Sequence, residues 1–478
     1  MKSLAKNSLY NAIYKFSTVF FSLITAAYVS RALLVDGVGK VNSAQNIVQY
    51  FVILAALGLP TYGTKVIAAV SDKEKELSKT FEELFAINAF STLLCTIAYY
   101  GMIFMFPYFR DRIILFAVSG LLIPLNVINV DWFYQGIEEF RYIMMRSIAV
   151  KIIAFMLTFI IVRNVNDCVS YAALLVFANA ANYVFNIVNL RKYIHIKVSG
   201  LCLKQHFKPI FVLLAASIAI EIYTLADTTM LAIMSGDNAV GLYSNAMRII
   251  RIVKNIVVAV AAVYLPRLSY YFSNNKMDDF RNLIKKGINI LLFISVPCAI
   301  GIILVSHDFV PLFFGNPFAE ASVTTSILAL STITVSISNF IGYQVLVTIN
   351  KEKIMFYSTI MGAVMNIILN FFLIKLYSYN GAAIASVVTE FCITVFQFFF
   401  MKKYVDVRLD RSFILSIFIS TFAMIVSVTL WNHVIKFTIL RLIGAICIGA
   451  LSYGLCLIAT KNEIALTVFQ LLKKRVNR

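Results

Sequence analysis

Apolar residues run along this chain in stretches of about twenty or more, separated by short polar turns, and the pattern repeats almost to its end. Each stretch can cross a hydrocarbon core of about 30 Å as a helix. Fourteen spans follow, at 8–30, 42–69, 81–106, 112–135, 147–163, 169–190, 209–235, 239–266, 284–306, 322–349, 354–376, 381–401, 412–432 and 437–460. In lipid every backbone polar group has to be bonded inside its own helix. The pattern therefore predicts an all-α polytopic membrane protein. The first span is too long for a cleaved signal, and no small-residue cleavage site ends it.

Composition agrees. Of 478 residues, 60% are hydrophobic and 14% charged, and the mean hydropathy is +0.85. A soluble chain of this length carries far more charge. The net charge of +19 would suggest nucleic acid on a soluble protein. Here the cations cluster in short loops. With the N-terminus in the cytoplasm, most of the 42 Lys and Arg fall on the cytoplasmic side. Both termini are then expected inside, and no nucleic-acid partner is. The longest expected outer loop, Ser306 to Ala321, has no Lys or Arg. The basic residues placed deeper in spans are Lys15, Arg248, Arg251 and Lys254.

Seven cysteines lie mostly in apolar runs without CxxC spacing, and read as small buried hydrophobes. Four scattered histidines suggest no metal site, and no cofactor is expected. No nucleophile elbow, P-loop or metal motif appears, and no outer loop would hold a catalytic domain, so no enzyme is expected.

An internal repeat is visible. Val38-Gly39-Lys40-Val41-Asn42-Ser43-Ala44-Gln45-Asn46-Ile47 aligns with Val240-Gly241-Leu242-Tyr243-Ser244-Asn245-Ala246-Met247-Arg248-Ile249 at an offset of 202 residues. The offset lays the turn between spans 1 and 2 over that between spans 7 and 8. It predicts two parallel six-helix bundles, an arrangement used by alternating-access transporters. The first is residues 1–205 with a cytoplasmic linker, and the second is 206–405. Residues 406–478 add spans 13 and 14 and a basic tail. On this offset Asn46 and Gln49 take the places of Arg248 and Arg251. Pro60, Pro124 and Pro297 lie within spans, as hinges or static kinks. The tail residues Lys473-Lys474-Arg475 either lie on anionic lipid or are simply solvated.

The hairpin of spans 7 and 8 concentrates the charge. A tight turn is expected at Ser235-Gly236-Asp237-Asn238. Glu221 and Asp227 precede it, and Arg248, Arg251 and Lys254 follow it. Arg248 and Arg251 share one helical face, which Asn255 extends. In one reading the acids neutralise the bases and tie the two helices. In the other, the arginines line a cavity and take an anionic substrate, for which the planar guanidinium is suited. Lys15 either faces the same cavity or snorkels to the interface.

One segment is more specific. Asp131-Trp132-Phe133-Tyr134-Gln135-Gly136-Ile137-Glu138-Glu139-Phe140-Arg141-Tyr142-Ile143 resembles the D-W-x-x-Q-G-x-E-x-F/Y-x-Y stretch of the Wzx-type polysaccharide flippases. Leu57-Gly58-Leu59-Pro60-Thr61-Tyr62-Gly63 and the Asp227 to Val240-Gly241-Leu242-Tyr243 spacing resemble that family too. Trp132 is expected at the membrane interface, with Glu138 and Glu139 against Arg141 and Arg146, in a structural role before a gating one. The resemblance implies a fold like the multidrug and toxin extrusion transporters. It implies flipping of an undecaprenyl-diphosphate-linked oligosaccharide repeat unit, for O-antigen or capsule, across a bacterial cytoplasmic (inner) membrane. Membrane lipid, a proton or sodium coupling ion and polysaccharide polymerase machinery are the other partners considered. Asp227, Glu221 and Lys254 are the coupling or pairing candidates. A peptidoglycan lipid-precursor flippase and a cation-coupled multidrug exporter remain alternatives. The exporter would be expected to have an acid-dominated cavity.

Overall fold

The computed structural model describes residues 4–195, 200–407, 410–467 and 470. The tail residues Lys473-Lys474-Arg475 lie outside them. Every regular element among the described residues is helical. Eleven helical stretches there are long and apolar enough to cross a membrane. Two are too long for one crossing: Tyr10–Val70, 61 residues, and Glu352–Lys402, 51 residues. Even the shorter would extend about 75 Å as a straight helix.

Single residues interrupt both. In α1 (Leu4–Ala56) it is Leu34, at φ 58 and ψ −172. In the second it is Ser378, at φ 50 and ψ −129. Just beyond it, a Cβ on Gly381 would lie 2.0 Å from the Leu373 carbonyl oxygen. Eight residues of straight helix would separate the two by about 12 Å, so the chain folds back there. With these divisions the helices follow the expected order of about fourteen spans.

The chain forms two compact units, Met1–Gly241 and Leu242–Arg478. The first holds α1, α2 (Leu59–Val70), α3 (Glu74–Met105), α4 (Ile113–Gly120), α5 (Leu122–Leu125), α6 (Asp131–Gly136), α7 (Phe140–Ile161), α8 (Cys168–Leu190) and α9 (Lys204–Met234). Next, α10 (Gly236–Ala262) crosses the division. The second unit continues with α11 (Leu265–Ser273), α12 (Met277–Phe314), α13 (Ala321–Ala329), α14 (Ser331–Asn339), a π-helical run Phe340–Leu346, α15 (Glu352–Lys402), α16 (Arg411–Val434) and α17 (Thr438–Ala459).

Local geometry recurs along the chain. Leu34 and Gly236, 202 residues apart, both have positive φ, 58 and 78. Leu59-Pro60 opens α2 and Leu265-Pro266 opens α11, each with proline in the first turn. Glu138 (φ 58) and Asn350 (φ 54) each stand two residues before a helix, α7 and α15.

Several boundaries differ from the pattern. Pro60 does not bend a continuous span. Leu57 and Gly58, both at positive φ, end α1, and the proline starts α2, where its missing N–H costs nothing. The expected loop Ser306 to Ala321 is largely helix, because α12 runs on through Pro311 to Phe314 before Gly315 (φ 103) stops it. Its apolar residues keep packing, and Val310 and Phe314 are fully buried. The expected turn at 235–238 shrinks, since α10 restarts at Gly236. The seven cysteines form no disulfide, but none is fully buried, and Cys202 and Cys447 are exposed.

Candidate functional site

The two motif segments pack against each other. A Cβ on Gly63 would lie 2.6 Å from the Trp132 ring, and one on Gly136 would lie 2.6 Å from Ile67. Small residues on α2 and α6 thus let the helices touch. The Thr64 hydroxyl donates to the Trp132 carbonyl at 3.2 Å. Trp132 is 3% exposed and stacks on Phe81, with centroids 5.6 Å apart. It is therefore a core residue, not an interface anchor. The apolar shelf of Phe81 and Ile67 buries the ring more completely than a headgroup layer would.

The charges of the motif also pair differently from expectation. Arg146, 7% exposed, donates to Asp131 at 3.0 Å and to the Asn186 side-chain oxygen. Asn186 in turn donates to Asp131 at 2.6 Å. Glu138 instead accepts from Asn7 at 3.3 Å, and Glu139 from the Tyr193 hydroxyl at 3.2 Å. Arg146 points into the α7–α8 packing, where Asp131 and Asn186 meet it, while Arg141 is exposed. In the turn after α8, burial first and then Glu139 push the Tyr193 phenol up, so it stays a donor.

A second buried network ties α9 to α2 and α3. Glu83, 1% exposed, accepts from the Cys202 backbone at 2.8 Å and from Gln205 at 3.0 Å. His206 Nε2 lies 2.8 Å from Glu83, and its Nδ1 lies 2.8 Å from the Tyr62 hydroxyl. Its components are scattered over 144 residues of sequence, from Tyr62 to His206, which is why pattern reading missed it.

In the first unit, Asn46 is 8% exposed, and its amide donates to Thr229 at 2.7 Å and to the Leu225 carbonyl at 3.3 Å. Gln49 and Lys15 are exposed, Asp227 is buried, and Glu221 is half-buried and accepts from Thr224. In α10, Arg251 and Asn255 are exposed, while Arg248 and Lys254 are half-buried. Asp227, Arg248 and Lys254 all have partners. Arg251 is the sixteenth of the 27 residues of α10, so it sits near mid-helix. Exposing such polar side chains to hydrocarbon at that depth would be costly. Asp237 is no free turn residue: it is 5% exposed, ion-paired with Arg112, and accepts from Ser43 at 2.9 Å.

Lys151 is a cation that hydropathy hid. Expecting a span at 147–163 assigns it to a cytoplasmic loop, but α7 begins at Phe140 and carries it to mid-helix. Its ammonium donates to Thr18 and lies 4.8 Å from the Tyr14 ring centre. In the second unit, Arg441 of α17 grips Asp308 of α12 with both ends of its fork. An apolar groove of about 660 Å³ lies between α12 and the α16–α17 hairpin, along Pro297, Val305, Val428, Gly449 and Tyr453.

Long apolar helices in two compact units, with cations carried inside those helices, define a multi-pass membrane protein of transporter type. The chain belongs to the family described as polysaccharide biosynthesis protein, whose model matches residues 4–272; the MatE model matches 213–372. It is 24% identical over 408 residues to a protein of Escherichia coli (strain K12) named "Putative O-antigen transporter", covering 84% of this chain and 97% of that one. It is also 24% identical over 304 residues to "Capsular polysaccharide biosynthesis protein CapF" of Staphylococcus aureus, covering 61% and 75%. Among solved structures, the lipid II flippase MurJ in an inward closed conformation superposes with a TM-score of 0.76 at 16% identity, covering 96% of this chain and 100% of that one. An inward-facing multidrug resistance MATE family transporter gives 0.64 at 14%, covering 81% and 94%. These likenesses show the fold.

Proposed function

We propose that this chain is a flippase for surface polysaccharide synthesis. It moves an undecaprenyl-diphosphate-linked oligosaccharide repeat unit from the cytoplasmic to the outer leaflet of a bacterial inner membrane by alternating access. The observation that carries the reading is Arg251, an exposed guanidinium at mid-helix in a membrane span, on one stripe with Asn255. A diphosphate is the group such a fork receives well. Arg248, Lys15, Asn46, Gln49 and Asn255 are the further contact candidates. Asp227, Glu221 and Lys254 are candidates for ion pairing or for coupling to a proton or sodium ion. Polymerase machinery would take the delivered unit. The chain does no covalent chemistry in this reading, in keeping with relatives named as a transporter and as flippases.

The recurring turn geometry supports two bundles, 1–205 and 206–405, followed by 406–478. Both termini are placed in the cytoplasm. Reporter fusions after Lys79, Lys204 and Lys403 should then read inside, and those after Asn166 and Tyr379 outside. Reversal at two adjacent loops would sink this topology.

The function itself is tested in a deletion strain. Loss of surface glycan with accumulation of cytoplasmic-leaflet lipid-linked repeat units, both reversed by the gene, is the expected result. Intact glycan with arrested peptidoglycan synthesis would instead favour a peptidoglycan-precursor flippase, which shares the fold and a diphosphate substrate.

A further inference from the structure

The 22 residues of α7 extend about 33 Å, close to the hydrocarbon thickness. Lys151 is the twelfth of them. Half the helix separates it from either end, further than a four-carbon stem can snorkel. Its direction is also clear. Met145, Ile152, Met156 and Ile160 are 56%, 38%, 60% and 59% exposed and form the lipid-facing stripe. Lys151 lies on the opposite side with Ser147 and Thr158, which are 3% and 2% exposed. Its half-burial therefore opens toward protein, not lipid.

The neighbouring cation, Arg146, has Asp131 as its counter-ion. Among the described residues, the partners of Lys151 are a hydroxyl and an aromatic face. An ammonium has three donors, and the Thr18 hydroxyl takes one. A mid-membrane cation with donors to spare is completed by an oxyanion. Counting back from the α15 start to the α7 start, Lys151 corresponds to Ala363, so the second half has no copy of it.

We propose that Lys151, with the Thr18 hydroxyl, binds a phosphate group of the lipid-linked substrate as it crosses the membrane. The assignment rests on the flippase reading above and adds a first-unit residue to the contact candidates of α10.

The test uses the purified full chain in nanodiscs, titrated with undecaprenyl diphosphate and with the neutral alcohol undecaprenol. Wild type should bind the diphosphate and ignore the alcohol. Lys151→Gln should weaken binding at least about tenfold, as loss of a charged hydrogen bond does, and Lys151→Arg should restore most of it. Melting temperatures check that each variant is folded. Should the Gln variant not fold, the Thr18→Val variant decides, since Thr18 is exposed and its loss should also weaken binding. Wild-type affinity in a folded Lys151→Gln or, failing that, in Thr18→Val overturns the Lys151 assignment alone. A wild-type chain that does not distinguish diphosphate from alcohol overturns the flippase reading itself.

Discussion

Gly39 lies so close to the backbone of Asp237 that a Cβ there would meet its carbonyl oxygen at 1.8 Å. Gly241 stands in the same relation to Val35, at 2.3 Å. Each member of the first contact has its counterpart in the second at the same 202-residue offset, so the two turns hold each other reciprocally.

Gly39→Ala and Gly241→Ala should therefore each destabilise the protein, by about 1–3 kcal/mol or more, because backbone cannot yield as a side chain does. Gly101→Ala is the matched control, with nothing within 4 Å of its Cβ position. Membrane abundance and melting in detergent should fall for the first two and hold or rise slightly for the third. Equal tolerance at all three would contradict the reciprocal contact.

Leu34 and Ser378 turn the chain at positive φ, where a side chain crowds the backbone. Ser378→Gly should raise stability by about 1 kcal/mol. Leu34→Gly should gain less, because it gives up apolar contacts, though it matches Gly236 in the repeat. A fall in melting temperature for Ser378→Gly would count against a strained turn.

Asp131→Asn should cost about 3–5 kcal/mol, the usual penalty for leaving a buried guanidinium without its counter-ion. Combining it with Arg146→Met should cost less than the two single changes added together, since both act on one pair. Simple additivity in a thermal-melt cycle would show that the pair is not coupled.

Arg251→Gln should leave membrane abundance near normal and abolish glycan export, and Arg251→Lys should retain a part of it, having the charge but not the fork. If the arginines of α10 only pair, Arg248→Gln should instead lower abundance and Asp227→Asn should restore it. Wild-type export from a well-expressed Arg248→Gln, Arg251→Gln double variant would end the substrate-contact reading.

Much of this fold is legible from apolar run lengths alone, because helix rise and bilayer thickness set one scale for every span. Turns are legible where the residue types demand them, as at Gly236. At Leu34 and Ser378 the apolar run lengths place the break, but nothing in the residue type signals a left-handed backbone. The start of α7 is missed because Arg141 and Arg146 look like a loop boundary. Only the folded chain shows Arg146 neutralised by Asp131, and that same correction brings Lys151 to mid-membrane. Networks such as Tyr62–His206–Glu83 are invisible in sequence since their members come from three separate helices.

The fit of Gly63 under the Trp132 ring has an evolutionary consequence. Neither position can drift alone: a larger residue at 63 needs a smaller one at 132, so among relatives the two should vary as a pair. Chimeras show this directly. Exchanging residues 57–63 with a relative that lacks the pairing should yield a poorly accumulating protein, and exchanging 131–136 along with them should recover it. The seam between α2 and α6 is thus a unit of inheritance, transferable whole and damaged by any recombination that divides it.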